Sequence, residues 1–331
     1  MNFVINLNKP KGITSHQAVE NVRRISGIKK AGHAGTLDPL ATGVLLVCTG
    51  EATKITRFLS DLDKEYIAEV KLGEKTDTYD AEGEVTEKIE GFSLRREDIE
   101  RILPGFTGTI EQIPPMYSAV KMGGKPLYKL ARKGLTVERE KRVVTVHDIR
   151  ITGFEMPFVE LRVSCSKGTY VRSLCNDIGD ALGVGAHITG LVRTRIGGFN
   201  VEDSVTLDEL ENLLRKCHAE PASPAGRLVS ASVETLKRPM KQVQGKVQGD
   251  IKDIKGVLPS IHSIDSALRH LGELRLTEGD FSRARNGIPI RCSDSSFQDG
   301  EYILLKDPSG SLFAIGKAAD RAIKIERMLH I

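Results

Sequence analysis

The longest uninterrupted apolar run in this 331-residue chain is Val44–Cys48 (VLLVC). A bilayer span needs about 20 such residues. No membrane segment is therefore expected, and each helix or strand has to be short or apolar on one side only. The N-terminus, MNFVINLNKPKG, lacks the basic-then-apolar order of a secretory signal. Five cysteines, an odd number with no C-x-x-C pair, make no disulfide framework. The expectation is a reduced, cytoplasmic protein, and the length predicts about two domains.

The periodicities mix helix and strand. Residues 3–7 read as a short strand. Thr14-Ser-His-Gln17 fits a capping box, followed by Ala18, Val19, Val22 and Ile25 at helical spacing and Gly27 as a stop. Glycines and a proline make GHAGTLDPLATG (residues 32–43) a loop. It opens into a buried strand at Val44–Cys48, and Ala52, Ile55, Phe58 and Leu59 then share one helix face. Tyr66, Ala68, Val70 and Leu72 alternate on the apolar face of a strand. Val143–Phe154 and Phe158–Cys165 are further strands. A helix from about Tyr170 carries Val171, Leu174, Ile178 and Leu182. Without regular βα alternation, the pattern predicts an α+β fold.

Residues 200–280 contain no Phe, Tyr or Trp, and 221–256 are rich in Lys, Gln, Ser, Gly and Pro. That segment reads as a flexible linker or insertion. Beyond it, Leu274–Leu276, Ile288–Ile290, Tyr302–Leu305 and Leu312–Ile315 read as strands of a small β-rich domain. The predicted organisation is a first domain over 1–220, the linker over 221–256 and a second domain over 257–331.

Charge narrows the partners only a little. The chain carries a net +4, but residues 1–60 hold eight basic and three acidic side chains. This permits nucleic-acid binding without requiring it. With no Trp and 5% aromatics, a stacking platform for single strands is not expected. Walker A, G-x-G-x-x-G, H-E-x-x-H, G-x-S-x-G and Cys/His zinc spacings are all absent from the sequence. NTPase, dinucleotide and zinc chemistry are therefore not expected.

Three places remain for chemistry. Asp38 precedes Pro39 in the glycine-rich loop, which biases it to extended backbone; an Asx-type turn is the simpler reading, and physics alone favours it. Arg172, in SKGTYVRSL, falls in the first turn of a helix, where the macrodipole disfavours a cation and a compensating carboxylate or phosphate is called for. Tyr170 nearby has a polar tip that needs a partner if buried. Tyr66 shares an apolar strand face, which more often means core than catalysis.

These residues sit in longer motifs. Lys9-Pro10-Lys-Gly12, GHAGTLDPLATG, GEATK (50–54), KEYIAEVKLGEKTDTYDAEG (64–83), QIPPMYSAVK (112–121), CSKGTYVRSL (165–174) and GAHITGLVRTRIG (185–197) occur in order. Together they resemble the bacterial TruB-type tRNA pseudouridine-55 synthases. The resemblance runs from about residue 3 to 210, resumes weakly at Leu258–Leu268, and the tail is similar to a short PUA domain. It implies a pseudouridine synthase fold with a mixed, mainly antiparallel sheet, and isomerisation of uridine to its C-glycoside without cofactor or metal.

The resemblance also implies roles. Asp38 is the essential carboxylate, acting at ribose C1′, at uracil C6 or as a base at C2′; the sequence leaves these three open. Arg172 pairs with it and keeps it ionised and oriented. Tyr66 stacks on the flipped base and is implicated in removing the C5 proton. Tyr170 and Leu191 contact the target nucleotide, and His33 takes the place of the flipped base in the T loop. Lys9 and Pro10 pack behind the tyrosine. Asp80 is a further candidate for a nucleotide contact. The implied partner is tRNA, held by its T arm and, through the tail, its acceptor stem; no membrane and no protein partner are implied. A non-catalytic RNA-binding or RNA-folding protein is the alternative, and a guide-RNA-dependent synthase is a third reading that residues 108–150 do not resemble.

Overall fold

The computed structural model describes residues 2–131, 133–135, 137–219, 259–291 and 297–329. The predicted linker, 221–256, lies outside them. A ten-stranded sheet and a five-stranded sheet dominate. The strands of the first body are β1 (Phe3–Lys9), β2 (Ala31–Ala34), β3 (Thr42–Thr49), β4 (Lys64–Leu72), β5 (Glu74–Thr76), β6 (Val85–Lys88), β7 (Gly108–Gln112), β8 (Lys121–Met122), β9 (Lys125–Pro126), β10 (Arg142–Glu155), β11 (Phe158–Cys165), β12 (Ala186–Ile196) and β13 (Phe199–Asn200). Its helices are α1 (Ser15–Ser26), α2 (Thr56–Ser60), α3 (Arg96–Ile102), α4 (Leu127–Ala131), α5 (Val171–Ala181) and α6 (Leu207–Ala219).

The large sheet runs β14-β1-β3-β12-β4-β11-β10-β7, where β14 is Ile261–Ser263, and β2 and β13 pair onto β3 and β12. Its pairings are antiparallel except β12 on β3, joined at Val192–Thr42 and Arg193–Gly43. There the chains approach so closely that a Cβ on Gly43 would sit 2.3 Å from the Arg193 carbonyl oxygen, and Gly43 has φ +95°. The mixed, mainly antiparallel α+β prediction holds.

Two cores lie against the two faces of this sheet. In β3, Leu45 and Val47 join one core, while Val44, Leu46 and Cys48 join the other. The first core includes Val19 and Val22 of α1, Leu174 and Ile178 of α5, and Leu210 and Leu214 of α6. The second includes Ile55, Phe58 and Leu59, together with Leu304, Leu312 and Ile315 from the five-stranded C-terminal sheet. That sheet has order β15-β17-β18-β19-β16, with β15 Gly272–Arg275, β16 Ile290–Arg291, β17 Tyr302–Lys306, β18 Leu312–Ala319 and β19 Ala322–Met328. Its other side holds a separate cluster around Ile303, Leu305, Ala314 and Ile323.

Local expectations fared unevenly. The capping box at Thr14 and Gln17 and the left-handed Gly27 terminate α1 as read. Residues 32–43 are not wholly a loop: Gly32, His33 and Ala34 pair with Cys48, Val47 and Leu46. The partner strand supplies hydrogen bonds that glycine composition does not reveal. The strand at 261–263 pairs with the edge of β1 and so belongs to the large sheet rather than to the C-terminal one.

Candidate active site

Asp38 sits in the connection between β2 and β3, which pair antiparallel up to Ala34–Leu46. Leu37 and Leu40, on either side of it, are buried in the first core. The loop backbone is held from several directions. Ser15 Oγ donates to the Leu37 carbonyl at 3.0 Å and accepts from its N–H at 2.8 Å. Gly12 N–H donates to the Pro39 carbonyl at 2.8 Å. Arg193 donates from Nη2 to Gly35 O at 3.0 Å and from Nε to Val44 O at 2.8 Å. Such anchoring restricts the positions the carboxylate can occupy.

Arg172, second residue of α5, is 4% exposed and meets two carboxylates. Its Nε lies 2.9 Å from Asp38 Oδ2, an ion pair whose N–H is not aimed in line with the oxygen. Its Nη1 lies 3.0 Å from Asp80 Oδ2 and donates to Thr78 O at 2.9 Å; Nη2 donates to Tyr117 O at 2.7 Å. The anion demanded by a cation in a first helical turn is thus supplied twice. Asp80 is buried and further held by the Thr78 hydroxyl at 2.7 Å and the Glu82 N–H at 3.1 Å.

The resemblance implied an Asp38 kept ionised by its arginine. In the structure Arg172 stands beside the carboxylate, and burial opposes its ionisation. The carboxylate keeps 36% side-chain exposure at the bottom of a cleft, yet dense packing pushes its pKa up from the ordinary carboxylate value. Arg172 pulls the other way, and Asp80, sharing that guanidinium, adds to the rise.

Two hollows meet at this pair. An inner cavity of about 260 Å³ is lined by Tyr66, Leu191, Tyr170, Lys64 and Arg193; an outer cleft of about 630 Å³ is lined by His16, His33, Thr78, Asp80, Glu82 and Tyr128. Asp38, Arg172, Ser118 and Ala119 border both. A larger hollow of about 690 Å³ lies between α3 and β10, but Arg96 there is paired to Glu100 at 2.7 Å and Arg150 to Asp148 at 2.9 Å. It is away from Asp38 and carries no reactive constellation.

Tyr66 is 8% exposed and its ring lines the inner cavity on the alternating buried face of β4. Burial pushes its hydroxyl pKa up, while the Arg193 guanidinium opposes that shift. Tyr170 caps α5, and its backbone N–H and carbonyl are clamped by the Gln112 amide at 2.8 and 3.0 Å. His33 lies apart from Tyr66, in the outer cleft, with a buried Nδ1 that has no hydrogen-bond partner among the described residues. Burial and then Arg193 lower its pKa.

Lys9 is fully buried, and its Nζ donates to the carbonyls of Ile13 at 2.7 Å, Pro10 at 2.9 Å and Pro39 at 3.4 Å. It thus braces the Asp38 loop through the Pro39 carbonyl, and Pro10 itself is exposed. Desolvation lowers the Lys9 pKa to about 8. Asp80, a candidate nucleotide contact, lines the outer cleft and is paired with Arg172. Lys64 and Arg193 stand in the sequence motifs KEYIAEVKL and GAHITGLVRTRIG, where no local pattern marks them as functional. Their signal is charge on the buried face of a strand, which is visible only once the strand's partners are known. Among the described residues, no group of three or more His, Cys, Asp or Glu side chains is placed to hold a metal ion.

Residues 23–171 match the model for the TruB family pseudouridylate synthase N-terminal domain, and 172–239 match that for the tRNA pseudouridylate synthase B C-terminal domain. The chain is 51% identical over 317 residues to a tRNA pseudouridine synthase B of Pseudomonas paraeruginosa, covering 96% of this chain and 92% of that protein. It is 52% identical over 216 residues to one from Pelotomaculum thermopropionicum, covering 64% and 68% respectively. Among solved structures it is similar to a chain of a Cbf5-Nop10-Gar1 complex, with TM-score 0.70, 26% identity, and coverage of 98% of this chain and 84% of that one.

Proposed function

The chain belongs to the TruB family of tRNA pseudouridine synthases, and on that premise we propose that it isomerises uridine 55 in the T loop of tRNA with Asp38 as the essential group. The observation that carries this reading is the placement of Asp38. A carboxylate held by its loop and by Arg172 stands at the junction of a base-sized inner cavity and a wider outer cleft. A stacked or folded uridine has to leave its stack for chemistry at the glycosidic bond. The outer cleft would receive the RNA backbone, the sugar would rest at Asp38, and the base would enter between Tyr66 and Leu191.

Within that arrangement each residue has a task. Tyr66 offers a ring to the flipped base. Tyr170 and Leu191 bound the pocket. His33, with its unsatisfied nitrogen in the outer cleft, contacts the RNA left behind. Arg172 aims Asp38, and Asp80 aims Arg172. Recognition of the T arm by shape and unstacked bases fits a protein without an aromatic platform, and the C-terminal sheet, read as PUA-like, grips the acceptor stem. The described helices include none long and apolar enough to cross a membrane, and a tRNA substrate supports a cytoplasmic location. The alternative of a non-catalytic RNA binder gives no reason for a carboxylate braced this way.

The test is Asp38→Asn. Tritium release from C5-labelled uridine in tRNA is expected to vanish while filter binding of tRNA survives. Turnover near wild type in the Asn variant contradicts the assignment.

A further inference from the structure

The lining of the inner cavity includes a cation that the proposed function leaves unused. Lys64 opens β4 two residues before Tyr66, on the same buried face, and is 5% exposed. Its ammonium donates to the carbonyls of Ser60 and Leu62. Among the described residues no carboxylate lies within ion-pair distance of it. The acids whose charge it feels, Asp61 and Asp63, are engaged elsewhere, by Lys167 at 2.8 Å and His147 at 3.1 Å. Arg193 lies on the same side: a Cβ on Gly35 would stand 3.6 Å from Arg193 Nη1 and 3.9 Å from Lys64 Cε.

Burying an ammonium with only carbonyl acceptors and a second cation nearby is costly. A hydrocarbon side chain would fill the same space without that cost, so the position has the mark of a group kept for its charge. Desolvation, with Arg193 as the next cause, lowers the Lys64 pKa to about 8, which leaves it mostly cationic at neutral pH.

Isomerisation supplies a matching anion. The bond between uracil N1 and ribose C1′ breaks, and its electron pair leaves with the base. The detached ring then holds a negative charge over N1 and its carbonyl oxygens. Once C5 has joined C1′, the C5 proton departs and N1 takes up a proton, so atoms and charge balance with no further reagent. This step rests on the function proposed above. We propose that Lys64 is a further catalytic residue, a buried ammonium lining the inner cavity that stabilises the charge of the detached uracil. A backbone phosphate is the less fitting occupant. Lys64 lines the inner cavity with Tyr66 and Leu191 but does not line the outer cleft, through which the RNA backbone has to pass.

The experiment compares Lys64→Gln, Lys64→Met and Lys64→Arg in single-turnover reactions on a T-arm RNA, alongside its Kd. The neutral variants are expected to lose about a hundredfold in rate, as when one preorganised donor is removed from an anion site, with Kd within twofold. Lys64→Arg, which keeps the charge, is expected within tenfold of wild type. A 5-fluorouridine target, whose fluorine stabilises the same anion, should shrink the deficit of the neutral variants to tenfold or less, read as loss of the N-glycosidic nucleoside. A neutral variant within threefold of wild type overturns the proposal. So does an Arg variant as slow as Gln with binding intact, or an equal deficit on both substrates, which marks a structural role. Wild-type protein that leaves uridine 55 unconverted defeats the underlying functional reading instead.

Discussion

The two faces of the large sheet are buried to similar depth but built from different materials. The helix-covered face holds a polar network, Asp38–Arg172–Asp80, with Lys9, Lys64 and Arg193 fixed on backbone carbonyls around it. The opposite face, covered by the C-terminal sheet, is joined by apolar side chains. Phe58 meets Tyr302 edge-on at 4.9 Å, and Arg57 stands over both rings and pairs with Glu326 at the rim. Buried charge is weak evidence for stability, because desolvation offsets much of the attraction. The first face is therefore arranged for chemistry at some cost to the fold, whereas the second holds the molecule together. Substitutions on the two faces should fail differently: on the first they slow turnover, and on the second they lower stability.

The sharpest separation is expected at Arg172. Arg172→Lys retains a positive charge but loses the fork that reaches Asp38, Asp80 and two carbonyls at once. Its single-turnover rate should fall about a thousandfold, roughly 4 kcal/mol of barrier, with tRNA affinity little changed. A variant within twofold of wild type would show that charge alone suffices.

Asp80→Asn should cost less, about a hundredfold, since Asp38 keeps its direct contact with Arg172. It also sharpens the electrostatic account. In its proposed role Asp38 acts ionised, and burial raises its pKa, with Arg172 opposing and Asp80 adding to the rise. Wild-type rate should therefore fall on acidification at a pH above the ordinary aspartate value of 3.8. Removing the Asp80 charge should move that limb to lower pH, and a shift to higher pH in the rate profile contradicts the sign.

Phe58→Ala tests the other face and should have the smallest effect on rate. Losing a buried phenylalanine costs about 3–5 kcal/mol, visible as a lower midpoint in urea. Below the unfolding transition, pseudouridine formation on a T-arm stem-loop should stay within twofold of wild type. A large loss of rate in the folded variant would mean that the C-terminal sheet shapes the site, and the contrast between the faces would collapse.

The same contrast explains what the sequence made legible. Local signals carried α1, with its capping box and Gly27, and the alternation that buries Tyr66, because those depend on neighbours a few residues away. A cation in a first helical turn calls for an anion at Arg172, but nothing local says that two carboxylates share it. Lys64 and Arg193 escaped notice because a lysine or arginine in a strand normally faces water; only the pairing of β4 with β11 and of β12 with β3 and β4 buries them. The glycines around His33 mask a strand that exists by virtue of β3. The shared core between Val44 and Leu304 was equally invisible, being formed by residues 260 positions apart.

The central claim is that this site isomerises a single tRNA uridine through Asp38. Unmodified total tRNA incubated with the full-length protein, then mapped for pseudouridine at nucleotide resolution, tests it most directly. The account predicts new pseudouridine at position 55 across the tRNA pool with wild-type protein, and none with Asp38→Asn. Pseudouridine formed equally by both proteins, or formed by wild type only outside the T loop, would contradict it.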